Sequence, residues 1–310
     1  MHIGLSRPPT PPHPTPDIDG ALVAKIAEEL GFESIFYGEH PVTPIGGPGQ
    51  GPHAAGVPFF QDTLVALARA SAVTNRIKLG SGVFLLPLHQ PVLLAKQIAS
   101  LDFYSKGRLI VGAGFGWSRG QCEACGGNFD RRFAQAYETL RIMKKLWTEE
   151  VTEFHGEFFD VPPIALFPKP VTKPWPPVLL PGPAYNSEEP WDSPRFLHLY
   201  KRIVTYADGW IPGFVGNERM REGPTRLVAG RKVMDQLCKE AGRDPRELQT
   251  TALLRTNIVD GDLAWPELVS RDVLKRYADI GTDRIIITIP TIISDTHARE
   301  VLERMAEALL

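Results

Sequence analysis

Eight short apolar runs, rich in β-branched and aromatic residues, alternate along the chain with longer segments of helical period. The runs span His2 to Ser6, Ser34 to Glu39, Arg76 to Val83, Arg108 to Gly112, Pro177 to Leu180, Gly209 to Pro212, Thr250 to Val259 and Arg284 to Ile289. Most are apolar at successive positions rather than alternate ones, the pattern of parallel strands buried on both faces. Eight strand–helix alternations predict a closed (β/α)8 TIM barrel, an α/β fold, more than an open doubly wound sheet. At 310 residues the chain exceeds the usual domain size, yet barrels of this length are single domains, and one domain over residues 1–310 is expected.

The helices carry end signals. Asp17 or Asp19 can cap a helix whose stripe is Leu22, Ile26 and Leu30, and Gly31 supplies its left-handed stop. Pro91, Pro224 and Pro266 stand where first-turn prolines belong. Phe133, Tyr137, Leu140, Met143 and Trp147 share a helix face, as do Leu227, Met234, Leu237 and Ala241 before Gly242. Ser294 or Asp295 can cap a last helix that buries Val301, Leu302, Met305 and Leu309.

In a barrel the loops after the strands share one face, and that face holds the chemistry. Here they are residues 7–16, 39–59, 84–89, 113–129, 181–192, 213–222 and the stretch near 290. The first two are insertions rich in proline and glycine, including Ile45 to Pro52, and read equally as a specificity lid or a mobile surface loop. Residues 148–176 follow a helix and therefore lie on the opposite face, where a hairpin from Thr152 to Val161 is expected to be scaffolding.

Several function classes are excluded. A formal net charge of -2, from 34 basic and 36 acidic residues, creates no field for nucleic acid or an anionic membrane. Three cysteines, Cys122, Cys125 and Cys238, make no disulfide framework and fit a reducing cytoplasm. The first sixteen residues are broken by Pro8, Pro9, Pro11, Pro12, Pro14 and Pro16, so neither a signal peptide nor a membrane span is expected there. Gly112-Ala113-Gly114-Phe115-Gly116 resembles a dinucleotide fingerprint but continues into Trp117. Cys122-Glu123-Ala124-Cys125 lacks a second ligand pair, and the eight histidines form no ligand pattern, so no metal is expected.

Three segments carry a positive signal. The first is Ala27-Glu28-Glu29-Leu30-Gly31-Phe32-Glu33-Ser34-Ile35-Phe36-Tyr37-Gly38-Glu39-His40. The second runs from Thr74 to Val83 and on through Pro87, His89, Pro91, Leu94, Ala95 and Lys96. The third is Ser105-Lys106-Gly107-Arg108-Leu109-Ile110-Val111 followed by Gly112 to Trp117. In this order and spacing they resemble the bacterial luciferase-like monooxygenases and the deazaflavin-dependent oxidoreductases of the same family, with weaker echoes along nearly the whole chain. One departure follows the fifth strand: where the family has a Gly-Gly and soon a serine, Pro181-Gly182-Pro183 precedes an insertion reaching Ser193.

The resemblance implies a flavin or deazaflavin ring across the barrel mouth. His40 is then expected to hydrogen-bond the ring or act as general acid or base, with Glu39 orienting its imidazole. Ser81, Gly82 and Val83 match the place where the family has a bulge with a non-proline cis peptide, expected here between Gly82 and Val83. Gly112, Gly114 and Gly116 are expected to let backbone approach the ring, with Trp117 and His53 toward the substrate. The absence of a glutamate near Trp117 argues against a sugar-phosphate substrate. Amides near Gly182 and the helix start at Ser193 are candidates for a phosphate, assisted by Arg195. Two chemistries remain open: hydride exchange between coenzyme F420 and a small organic substrate, or an FMN-dependent monooxygenase served by a separate flavin reductase. A flavin-binding protein without turnover is a third reading. The family also implies a homodimer.

Overall fold

β-Branched runs flanked by glycine and polar residues extend and pair because their side chains can pack on both faces of a sheet. The computed structural model describes residues 1–7, 19–44, 60–183, 187–215, 217–255, 269–290, 292 and 294–310. Its strands are β1 (His2–Arg7), β2 (Ser34–Tyr37), β3 (Lys78–Ser81), β4 (Phe84–Leu85), β5 (Leu109–Gly114), β6 (Thr152–His155), β7 (Asp160–Ile164), β8 (Val178–Leu180), β9 (Gly209–Trp210), β10 (Gly213–Val215), β11 (Gln249–Arg255) and β12 (Arg284–Thr288). Parallel ladders join β1 to β2, β2 to β3, β3 to β5, β5 to β8, β8 to β9, β9 to β11, β11 to β12 and β12 back to β1. The ring is closed, as the alternation predicts. Past Gly82 and Val83, β4 continues the line of β3 against β5, and β10 continues β9 against β11.

Some boundaries differ from expectation. The second strand ends at Tyr37 rather than Glu39, and the third is cut at Ser81 by the bulge. The seventh reaches Arg255, and its expected remainder to Val259 lies outside the described residues.

Helices α1 (Gly20–Leu30), α2 (Thr63–Val73), α3 (Pro91–Ser105), α4 (Arg119–Ala124), α5 (Arg132–Thr148), α6 (Leu197–Tyr206), α7 (Asn217–Glu240), α8 (Arg271–Asp279) and α9 (Asp295–Leu309) complete the described elements. Asp19 caps α1 by accepting from the Ala21 N–H, and Gly31 closes it at φ 96°. Asp17 and Pro266 lie outside the described residues. Pro91 opens α3, and Ser294 caps α9. Pro224, by contrast, sits inside α7. The residues before it, from Glu218 to Glu222, are mostly strong helix formers, so the helix runs through the proline despite the lost N–H. Phe133 and Ala241, assigned to buried faces, are exposed, whereas Tyr137, Leu140, Met143, Trp147, Leu227, Met234 and Leu237 are buried.

The strands sort their side chains by parity. Leu5, Ile35, Leu79, Val111, Val178, Leu254 and Ile287 face outward into one continuous core beneath the helices. Phe36, Ile110, Leu179, Ile211, Leu253 and Ile286 face inward and form a separate apolar plug on the barrel axis. Phe36 fills the space opposite Gly80, where a Cβ would overlap its ring.

The hairpin β6–β7 is antiparallel, as expected. It hangs on the buried Glu138 of α5, whose carboxylate accepts the backbone N–H groups of Glu157, Phe158 and Phe159 at 3.0, 2.9 and 2.8 Å. At the strand-start end of the barrel the buried Arg108 guanidinium donates to the Ser105, Ile77, Ser71 and Thr74 carbonyls and to the Thr74 hydroxyl. No helix among the described residues is long and apolar enough to cross a membrane.

Candidate active site

β2 ends at Tyr37, and Gly38, Glu39 and His40 follow it, with Glu39 and His40 taking different partners. The Glu39 carboxylate, with 6% of its side chain exposed, accepts the Leu85 N–H at 2.5 Å and pairs with His89 Nε2 at 2.8 Å. The expectation that it orients His40 is therefore corrected. His40 is held by other groups: its Nε2 lies 3.1 Å from Thr43 Oγ1 and its Nδ1 3.0 Å from Gln121 Nε2. Its ring stands 5.0 Å from Phe60 and 6.3 Å from Trp117, with the latter plane only 11° from parallel.

At the end of β3 the peptide bond between Gly82 and Val83 is cis, at the position implied by the resemblance. The Ser81 hydroxyl donates to the Gly112 carbonyl at 2.8 Å, and the Gly82 N–H donates to the Tyr37 carbonyl at 2.8 Å. Val83 is half-buried and rests on the axial plug.

This packing gives the β5 glycines a different reason from the one expected. A Cβ at Gly112 would overlap the Ser81 carbonyl oxygen, and one at Gly114 would overlap the Val83 Cγ2 methyl. Both are glycine because the neighbouring strand leans on them, not because they face open space. Gly116 does need its freedom, at φ 73°, and turns the chain to an exposed Trp117. Ser118 then caps α4, which carries Gln121, Cys122 and Cys125. Burial and then Glu123 push the Cys122 thiol up, while burial and then the Glu39 carboxylate push up that of Cys125. Neither is poised as a thiolate. No group of three or more metal-ligating side chains occurs among the described residues.

The expected phosphate end looks different. Gly182 packs under Trp210 and Pro212, where a Cβ would meet them at 3.2 and 3.3 Å. The Ser193 hydroxyl donates to the Glu189 carboxylate and accepts the Arg195 N–H at 3.3 Å, capping a 3-10 turn that leads into α6. A carboxylate thus stands beside the serine offered for an anion, and Arg195 is exposed. His53 lies outside the described residues.

Gln121, Thr43 and His89 were not singled out from sequence. His89 stood within the second family-like segment without a role; the other two carried no signal.

Val83 offers an apolar floor, and Gly38 and Gly213 line the mouth without side chains. Among the described residues, a Cβ at Gly213 would meet nothing within 4 Å. His40 and Gln121 supply polar groups beside the end of β2.

Comparison with known proteins agrees with this geometry. Residues 6–189 match the model of the luciferase-like monooxygenase family. An uncharacterised protein of Mycobacterium tuberculosis is 32% identical over 322 residues, covering 100% of this chain and 99% of its own. Among solved structures, the monooxygenase RslO1 of Streptomyces bottropensis superposes with a TM-score of 0.72 at 21% identity, over 100% of this chain and 98% of that one. An F420-dependent secondary alcohol dehydrogenase, in complex with an F420-acetone adduct, gives 0.70 at 16% identity, over 97% of each chain. These two likenesses establish the shared barrel. With its closed parallel ring, its mouth built on the second, third and fourth ring strands, and a family match over residues 6–189, the chain belongs to the luciferase-like monooxygenase family.

Proposed function

We propose that the protein is an oxidoreductase that takes coenzyme F420 and exchanges hydride with a small organic substrate at the barrel mouth. The observation that carries this reading is the pairing, at strand ends on one face of the barrel, of the half-buried Val83 on the axial plug with the stacked His40–Trp117 rings. When bound, the deazaflavin supplies a carbon that gives or takes a hydride, two electrons and one proton in a single transfer. The chain's own residues do the rest. Val83 supports the ring from below, while Glu39 fastens the backbone at Leu85 and His89 so that the floor holds its height. His40 turns an imidazole edge to the reacting atoms, held from behind by Gln121. Trp117 would wall the substrate side, its ring stacked near that of His40.

Likeness to an F420-dependent alcohol dehydrogenase supports the deazaflavin, and the carboxylate at Ser193 disfavours a terminal phosphate dianion there. The fold shared with a monooxygenase supports a second reading, in which FMN from a separate reductase serves oxygen chemistry. Titrating the purified protein with F420 and with FMN, followed by fluorescence and heat, separates them. We expect saturable binding of F420, with FMN weaker. Saturable binding of neither overturns both readings.

A further inference from the structure

The sequence leaves His40 as hydrogen-bond partner, acid or base; its surroundings are more specific. Gln121 is 1% exposed, and its amide nitrogen lies 2.9 Å from the Val42 carbonyl oxygen. A carbonyl can only accept, so the Gln121 atom beside it is the NH2 group and the amide cannot be flipped. The same nitrogen is 3.0 Å from His40 Nδ1. An amide NH2 has two hydrogens and no acceptor capacity, and Val42 takes one of them. The other points at Nδ1, which must therefore accept. That leaves the imidazole proton on Nε2, 3.1 Å from Thr43 Oγ1. An imidazolium would set a second N–H against the amide hydrogens.

We propose that Gln121 is a positioning residue that locks His40 as the neutral Nε2–H tautomer, making it a hydrogen-bond donor to the substrate and not a base. Resting on the deazaflavin reading, this fits the site to reduce an organic carbonyl. Hydride from the reduced deazaflavin forms a C–H bond at the carbonyl carbon, and the π pair of the C=O moves onto oxygen. A substrate oxygen that displaces the Thr43 hydroxyl receives the Nε2–H hydrogen bond as negative charge gathers on it, and water supplies the proton of the new hydroxyl, its hydroxide passing to solvent. A neutral histidine donating to a carbonyl oxygen is an established form of catalysis in another barrel enzyme.

The anchoring of Gln121 makes the lock firm. Its own N–H is capped by Ser118 Oγ at 3.3 Å, and α4 cannot release the amide without leaving a buried polar group unsatisfied.

The test reads the ring nitrogens directly, without cofactor or substrate. The protein is labelled with 15N-histidine, and the His40 signals among the eight histidines are identified by their loss in His40→Asn. At neutral pH the wild-type His40 is expected to show a protonated Nε2 and a bare Nδ1. In Gln121→Glu the carboxylate demands a donor, and the proton is expected to appear on Nδ1. A wild-type ring protonated at Nδ1, alone or with Nε2, overturns the proposal. So does a folded Gln121→Glu whose Nδ1 stays bare. If that variant does not fold, the wild-type spectrum still decides. Failure of F420 to bind would leave this result untouched, and the reverse holds too, so the two readings fail separately.

Discussion

The contact between Gly114 and Val83 can be tested as a pair. Gly114→Ala places a methyl over the Val83 Cγ2 atom but 3.5 Å from its Cβ and 3.6 Å from Leu85 Cδ2, both ordinary contacts. Gly114 does not occupy the left-handed region, so the backbone accepts alanine and the cost is steric. Overpacking of this kind costs about 1–3 kcal/mol. Val83→Ala removes two methyl-sized groups at about 0.8 kcal/mol each when fully buried. For a half-buried side chain that is roughly 1 kcal/mol. If the sites were independent, the double variant would lose about 2–4 kcal/mol, the sum of those two estimates. If the overlap with Cγ2 is the cause, shortening Val83 removes it, and the double variant should lose only about 1 kcal/mol, a favourable coupling of about 1–3 kcal/mol. Urea unfolding of the four proteins measures each term, with an unchanged slope confirming that stability alone has moved. Additivity to within about 0.5 kcal/mol would refute the account of why β5 carries glycine here.

Two further outcomes are expected. Arg108→Lys keeps the charge but offers three donors to the five acceptors that the guanidinium engages, at 2.7 Å for Ser105, 2.9 Å for Ile77 and the Thr74 hydroxyl, 3.1 Å for Ser71 and 3.0 Å for the Thr74 carbonyl. Two unsatisfied acceptors cost about 2–6 kcal/mol, visible as a lower urea midpoint, and a midpoint matching wild type would show that water replaces the lost donors. Burial pushes the Glu33 carboxyl up, but the Arg284 guanidinium, at 2.8 Å, more than offsets it and holds the group below the usual carboxylate range. Its stabilising effect is present above the unfolded pKa of about 4.3 and is lost as pH falls through the lower folded value. The stability difference between wild type and Glu33→Gln should therefore shrink as unfolding is measured toward pH about 3, and a constant difference would contradict the sign.

The scaffold was readable because its signals are local. Asp19, Gly31, Pro91 and Ser294 each act within one helical turn, and the apolar runs needed only their own composition. The candidate site was readable in part. His40 and Gly82–Val83 lie in contiguous segments that resemble a known pattern, but their partners are distant. Gln121 reaches His40 from 81 positions away, and Glu39 reaches His89 from 50. Glu39 was assigned to its neighbour because the two are adjacent in sequence, whereas its carboxylate is taken by the Leu85 N–H and His89. Gly112 and Gly114 were correctly marked, for a reason only the adjoining strand could supply. Pro224 misled because a lone proline is weak evidence for a boundary when strong helix formers precede it.

The axial plug of Phe36, Ile110, Leu179, Ile211, Leu253 and Ile286 has a kinetic consequence. It stops the barrel from being a passage, so the mouth is both entrance and exit. On the proposed reading a ring resting on Val83 would occupy the deeper position, and a substrate stacked above it would block its departure. Turnover at such a dead end would be ordered: the ring would arrive first, the product would leave before the ring is exchanged, and excess substrate would slow that exchange by detaining the spent ring beneath it.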